Sequence, residues 1–259
     1  MTNAALAASA IVALVAAAAY GYVAARLYRR PVSPGARLAL SQFSLWWGGL
    51  GASSAVSAVE ATLALGGWLT LDLAVTLSLF VVLLDVIFLW GLTGFLVYVY
   101  TGRYHLVPLS GFYALFYLVA LYYEILGHPY AVVVQAGAPT LLAHTVNEPV
   151  LVAFILLALL VPEIAAAILY LSLLRRTHDP AQRYRIVMVG SSILLWFGIL
   201  AFVPSTTVAW NLTKGVLEIV PALLSLLAYQ PPAGVRRRFR TGAPFGASPG
   251  AAPGSSEGP

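Results

Sequence analysis

The chain has no cysteine. That absence excludes a disulfide framework, thiolate chemistry and any cysteine-ligated zinc or iron–sulfur site. Charge is nearly as scarce. Only 9% of the residues are Asp, Glu, Lys or Arg, against about 25% in a soluble domain. So few charges cannot cover a surface in water. Lysine occurs once, as Lys214. The four histidines, His105, His128, His144 and His178, fall at the ends of hydrophobic runs or between them, which argues against a bis-histidine haem inside a bilayer. The patterns GxSxG, HExxH, CxxC, Walker and GxGxxG do not occur. No serine–histidine pair falls at membrane depth either, so the chain reads as a non-enzyme.

What is present is apolar: 61% of the 259 residues are hydrophobic and the mean hydropathy is +0.89. A membrane-crossing helix needs roughly 20 such residues. The pattern predicts helical spans at 4–26, 39–64, 70–99, 107–127, 149–174, 184–204 and 207–229. The expected fold class is thus all-α and integral to the membrane, a seven-transmembrane-helix bundle. Residues 1–232 form the transmembrane domain. Residues 233–259 form a basic, then Gly/Ala/Pro/Ser-rich tail that cannot bury apolar surface and is expected to be disordered.

The thirteen arginines all lie between runs or in the tail. Arg26, Arg29, Arg30 and Arg37 follow the first run, Arg103 the third, and Arg175, Arg176, Arg183 and Arg185 the fifth; Arg236, Arg237, Arg238 and Arg240 follow the seventh. The alternate gaps carry none. Positive-inside logic places the N-terminus outside and the C-terminus in the cytoplasm of a multi-pass cell-membrane protein. The first run is not a cleavable signal, because its positive charges follow rather than precede it. The longest external gap, 128–148, suits an interfacial helix or a hairpin. In the first run Ser9, Ala13, Ala17, Gly21 and Ala25 recur every fourth residue, a seam of small side chains for close helix packing.

Ionisable groups inside a span cost about 2.5–3.5 kcal/mol or more and are functional candidates by default. They are Glu60, Asp72, Asp85, Glu124, Glu163, Lys214 and Glu218. Most lie in the outer half or at mid-membrane, which predicts a polar pocket open to the outside. Lys214 and Glu218 are four residues apart and share a helix face, extended by Asn211 and Pro221. They form either a structural ion pair or a ligand or proton site with Glu218 or Asp85 as counter-ion. Glu163 follows Pro162 at an expected bend. Tyr117 and Glu124 share a face of the tyrosine-rich fourth run, with Tyr113, Tyr122 and Tyr123. Trp46, Trp47, Trp90 and Trp196 form either a pocket wall or core. The predicted ligand-binding residues are Lys214, Glu218, Asp85, Asn211, Tyr117, Glu124 and Trp90, with no catalytic residues and no metal ligands.

Seven runs with an external N-terminus and a lone lysine in the last resemble the microbial rhodopsins. The resemblance covers topology and Lys214, and it implies retinal as a Schiff base on that lysine. The chain departs from that family at Trp210, where an aspartate stands one turn before the lysine. It departs again at Leu84-Asp85-Val86-Ile87, which lacks the family's Thr-Thr-Pro pattern. The stretch Arg175-Arg-Thr-His-Asp-Pro-Ala-Gln-Arg-Tyr-Arg185, followed by Leu195-Trp196-Phe197 and Leu227-Ala-Tyr-Gln-Pro-Pro232, is similar to the seven-helix membrane sensor regions that precede bacterial histidine kinases and cyclase-type outputs. That similarity implies a receptor-like module, with an outward-facing pocket, that signals through a cytoplasmic or membrane partner. A proton- or ion-coupled transporter or channel and a structural subunit of a membrane complex stand as alternatives. The partners expected are the lipid bilayer and a signalling protein, with no nucleic acid.

Overall fold

The computed structural model describes residues 2–30, 34–103, 105–121, 130–135, 138–143, 149–202 and 208–235. In chain order they form α1 (Thr2–Tyr28), α2 (Pro34–Leu65), α3 (Leu71–Thr101) and α4 (Leu106–Leu121). These are followed by strands β1 (Tyr130–Gln135) and β2 (Ala138–Ala143). The chain then forms α5 (Pro149–Arg176), α6 (Pro180–Phe202), α7 (Val208–Leu217) and α8 (Ile219–Tyr229).

Local chemistry sets the boundaries. Gly67, at φ +70°, turns the chain out of α2 where a side chain would be strained. Thr70 then caps α3, its hydroxyl accepting from the Leu73 amide at 3.3 Å. Gly102, at φ +68°, closes the far end of α3 by donating its amide to the Tyr98 carbonyl. The Asp179 carboxylate accepts from the amides of Ala181 and Gln182 at 3.1 and 3.3 Å, and Pro180 opens α6. The gap expected to hold a helix or a hairpin contains the antiparallel pair β1–β2, with Tyr130 opposite Ala143 and Gln135 opposite Ala138. Its Val132-Val133-Val134 run is β-branched and suits a pleated strand.

The expectation of seven membrane spans is overturned. Among the described residues only three helices are long and apolar enough to cross a bilayer: Asn3–Tyr28, Leu71–Thr101 and the run Val208–Val235. The helices fall near the predicted runs, but most lack one requirement or the other. α4 has 16 residues, about 24 Å of helix against a hydrocarbon core of about 30 Å. α2 is long, but Gly48, Gly49, Gly51, Ser53, Ser54 and Ser57 dilute its apolar character. α6 opens with Gln182, Arg183 and Arg185. The last run qualifies only as a whole, since Glu218 divides it into α7 and α8. With the seven-span bundle go the resemblances that rested on it, to microbial rhodopsins and to seven-helix sensor regions. The chain is a mostly helical protein with a few long apolar helices, as a membrane-associated role requires.

α2 lies between α1 and α3, antiparallel to both, and glycines set the spacing. A Cβ on Gly51 would stand 3.2–3.3 Å from the backbone of Ala17 and Gly21 and from the Tyr20 side chain. A Cβ on Gly49 would stand 2.7 Å from that of Phe88. On α3, a Cβ on Gly91 would stand 2.8 Å from the Gln42 carbonyl oxygen. Small residues substitute for the missing hydrophobic drive between helices in lipid. The predicted seam of α1 is only partly used. Gly21 and Ala25 are exposed, and the buried stripe runs one position over, through Ala16, Tyr20, Val23, Ala24 and Leu27. The glycine of α2, not that of α1, permits the approach, so the α1 side chains that pack are larger.

The core is aromatic. Trp46 and Trp47 are fully buried, their rings 4.2 Å apart, and Trp196 meets Trp46 edge-on at 5.9 Å. Phe43 stacks on Phe95 at 4.6 Å. Three of the four tryptophans suggested as a pocket wall are therefore packing residues. Outward, α5 exposes Leu157, Val161, Ile164, Ile168 and Leu171. Their spacing of three and four residues makes one continuous apolar stripe, a surface that water does not favour.

Candidate functional site

α7 is short, and its last turn carries Lys214. The ladder continues one residue further, the Glu218 amide donating to the Lys214 carbonyl at 2.9 Å. At Glu218 the helix breaks, and Pro221 follows without an amide proton to offer. The carbonyls near the break are held from outside the helix. The Tyr20 hydroxyl of α1 donates to the Glu218 carbonyl at 2.7 Å. The Ser192 hydroxyl of α6 lies 2.7 Å from the Pro221 carbonyl and 2.8 Å from the Ser225 hydroxyl. These hydroxyls tie α1 and α6 to carbonyls beside the interruption, while the carbonyl that Pro221 leaves without its helical donor is that of Leu217, four residues back.

The break sets two charges at the edge of a cavity of about 230 Å³ between α1, α2 and α7. Lys214 Nζ lies 3.9 Å from Glu218 Oε1, and the side chains remain 24% and 22% exposed. This is a loose pair, at the limit of contact, with room beside it. Ser9, Ser54, Ser57 and Glu60 complete the polar wall; Val12, Ala13, Ala16 and Leu212 supply the apolar part. The Ser9 Oγ is buried without a hydrogen-bond partner. Among the described residues no group of three or more His, Asp or Glu side chains is placed to hold a metal.

The structure brings together Lys214 and Glu218 of the predicted set and distributes others elsewhere. Asp85 does not line the cavity; it faces α2, where Ser53 Oγ donates to its Oδ1 at 3.1 Å. Trp90 donates from Nε1 to Ser110 Oγ at 3.1 Å, bridging α3 and α4. Tyr117 is half-buried on α4 and packs against the aromatic core. Glu124 lies outside the described residues, as do the side chains of Asn211 and Glu163. Pro221 is buried in α8, against Ser192. The serines of the wall were missed. Ser54 and Ser57 are three apart on α2, and the only local signal was the density of small polar residues beside Glu60.

At the opposite end of α1 the arginines gather. The Arg30 guanidinium sits 4.9 Å from the centre of the Tyr229 ring, and Arg26 sits 5.3 Å from that of Tyr22. Arg26 also donates from Nε to the Tyr22 hydroxyl at 3.0 Å. Burial, and then the charge of Arg185, lower the pKa of Arg30.

Comparison with family models, with curated proteins and with solved structures finds no match for this chain.

Proposed function

We propose that the chain is a membrane-embedded binding protein of receptor or sensor type, without catalytic chemistry of its own. Its ligand enters the cavity between α1, α2 and α7, and occupancy is passed to a partner. The observation that carries this reading is the loose Lys214–Glu218 pair, 3.9 Å apart, facing Glu60 and three serines across open space. A purely structural pair would close to shorter contact and fill the space around it, because an ion pair in an apolar setting is favourable only when its remaining valences are met. Here they face a cavity.

The wall sets the ligand class. One ammonium stands among two carboxylates; burial pushes the Glu60 carboxyl up to about 7, so the cavity gains its excess negative charge above that pH, and serine hydroxyls can donate or accept. A small amine or a zwitterion meets both charges. Ligand that binds only the folded state at a hundred times its Kd stabilises by about 2.7 kcal/mol. A thermal-denaturation panel of glycine, alanine, choline and glycine betaine on the purified protein tests the reading. At least one member is expected to raise the melting temperature, with Glu60→Gln weakening that effect at least tenfold. A panel that leaves the melting temperature unmoved, or a shift that Glu60→Gln does not alter, refutes it.

A further inference from the structure

The arginine end of the bundle carries a second arrangement, unconnected to the cavity at Lys214. A cleft of about 730 Å³ opens between the end of α1 and the end of α8, lined by Tyr22, Arg26, Arg29, Arg30, Tyr229 and Gln230. Three guanidinium groups face it. Among the described residues none of the three makes an ion pair with a carboxylate. Arg30 is the telling member. Its Nη1 is buried with no hydrogen-bond partner, and Arg185 of α6 adds like charge nearby. Buried guanidinium donors without an acceptor, beside further positive charge, are unfavourable until an anion arrives.

On the other side of Tyr229 lies a cleft of different character. It holds about 250 Å³ between α3, α5, α6 and α8, and its wall is mainly apolar, with Phe95, Val99, Leu173, Ile186 and Val189, joined by Gln182 and Arg185. Tyr229 lines both clefts, and Arg185 is part of the wall of the apolar one. The two are thus neighbours, one cationic and one greasy, at one end of a bundle that exposes apolar helix faces.

We infer that the pair of clefts is a binding site for one anionic phospholipid, its phosphate on Arg26, Arg29 and Arg30 and an acyl chain between α3, α5 and α6. Free inorganic phosphate satisfies the arginines but leaves the apolar cleft unused. A zwitterionic phospholipid fills the cleft but brings a cationic group among the guanidiniums. Only an anionic amphiphile matches both surfaces.

The test uses the full chain, purified in a neutral detergent, with dioctanoyl phosphatidylglycerol as probe. Dioctanoyl phosphatidylcholine and inorganic phosphate serve as comparison ligands. Thermal stabilisation is followed against probe concentration. The phosphatidylglycerol response is expected to saturate, with an apparent affinity at least tenfold above that of either comparison ligand. Arg30→Gln is expected to weaken it at least tenfold. Leu173→Trp, which fills the apolar cleft and leaves the arginines in place, is expected to weaken it as well. Should Arg30→Gln fail to fold, the exposed pair Arg26→Gln/Arg29→Gln takes its place. Equal stabilisation by phosphatidylcholine overturns the charge half of the inference, and equal stabilisation by phosphate overturns the chain half. Unchanged affinity in the arginine variants overturns both.

Discussion

Lys214 and Glu218 show what one turn of helix can encode and what it cannot. Their shared face followed directly from the four-residue spacing. Glu60 and the serines opposite them arrive from two other helices, and no local spacing specifies that meeting. Asp85 is the converse case: its charge marked it as a candidate, while its partner, Ser53, is an unremarked small residue of α2. Lys214→Met is expected to destabilise the protein by about 1–3 kcal/mol, because it strands the Glu218 charge in a largely buried setting. The double variant Lys214→Met/Glu218→Leu should recover most of that loss, as read by denaturation of the four members of the cycle. A double variant no more stable than the single one would show that the pair acts otherwise. At the helix contacts, Gly49→Ala is expected to cost about 1–3 kcal/mol, since the new methyl group meets Phe88. Gly198→Ala, with nothing within 4 Å of its added carbon, should be neutral or stabilising by up to about 1 kcal/mol. Equal effects from the two would contradict the packing described.

Helices as elements were largely legible. Hydropathy runs placed α3 and α5 within a few residues, since long apolar stretches admit few other structures. The number of them able to cross a bilayer was not. A run scores as apolar whether its residues meet lipid or meet another helix, and α2 buries polar groups such as Gln42 and Ser44 between its neighbours. Pro221 marked a bend in the last run, but the pattern did not reveal that hydroxyls from α1 and α6 hold the carbonyls beside it. The Ser192 hydroxyl makes two contacts to α8, at the Pro221 carbonyl and the Ser225 hydroxyl. Ser192→Ala is accordingly expected to destabilise by about 0.6–1.7 kcal/mol, the range measured for polar contacts between helices in membranes. Thermal denaturation of the variant checks this, and a wild-type melting temperature would show that α8 holds its shape unaided.

For the whole molecule the first expectation is physical partitioning. The chain should sediment with membranes and resist extraction by alkaline carbonate. Its lack of cysteine makes any introduced thiol unique. Asn3→Cys and Arg29→Cys mark the two ends of α1, about 40 Å apart at 1.5 Å per residue, and an impermeant maleimide should reach them from opposite faces of the membrane. Labelling of both from one face would show that α1 lies along the surface. The tether between Tyr20 and the Glu218 carbonyl then takes on a mechanical meaning. The carboxyl of Glu218 belongs to the cavity, and the carbonyl of the same residue is fastened to α1. Any shift of that side chain within the cavity therefore works against the hydroxyl that holds its peptide to α1.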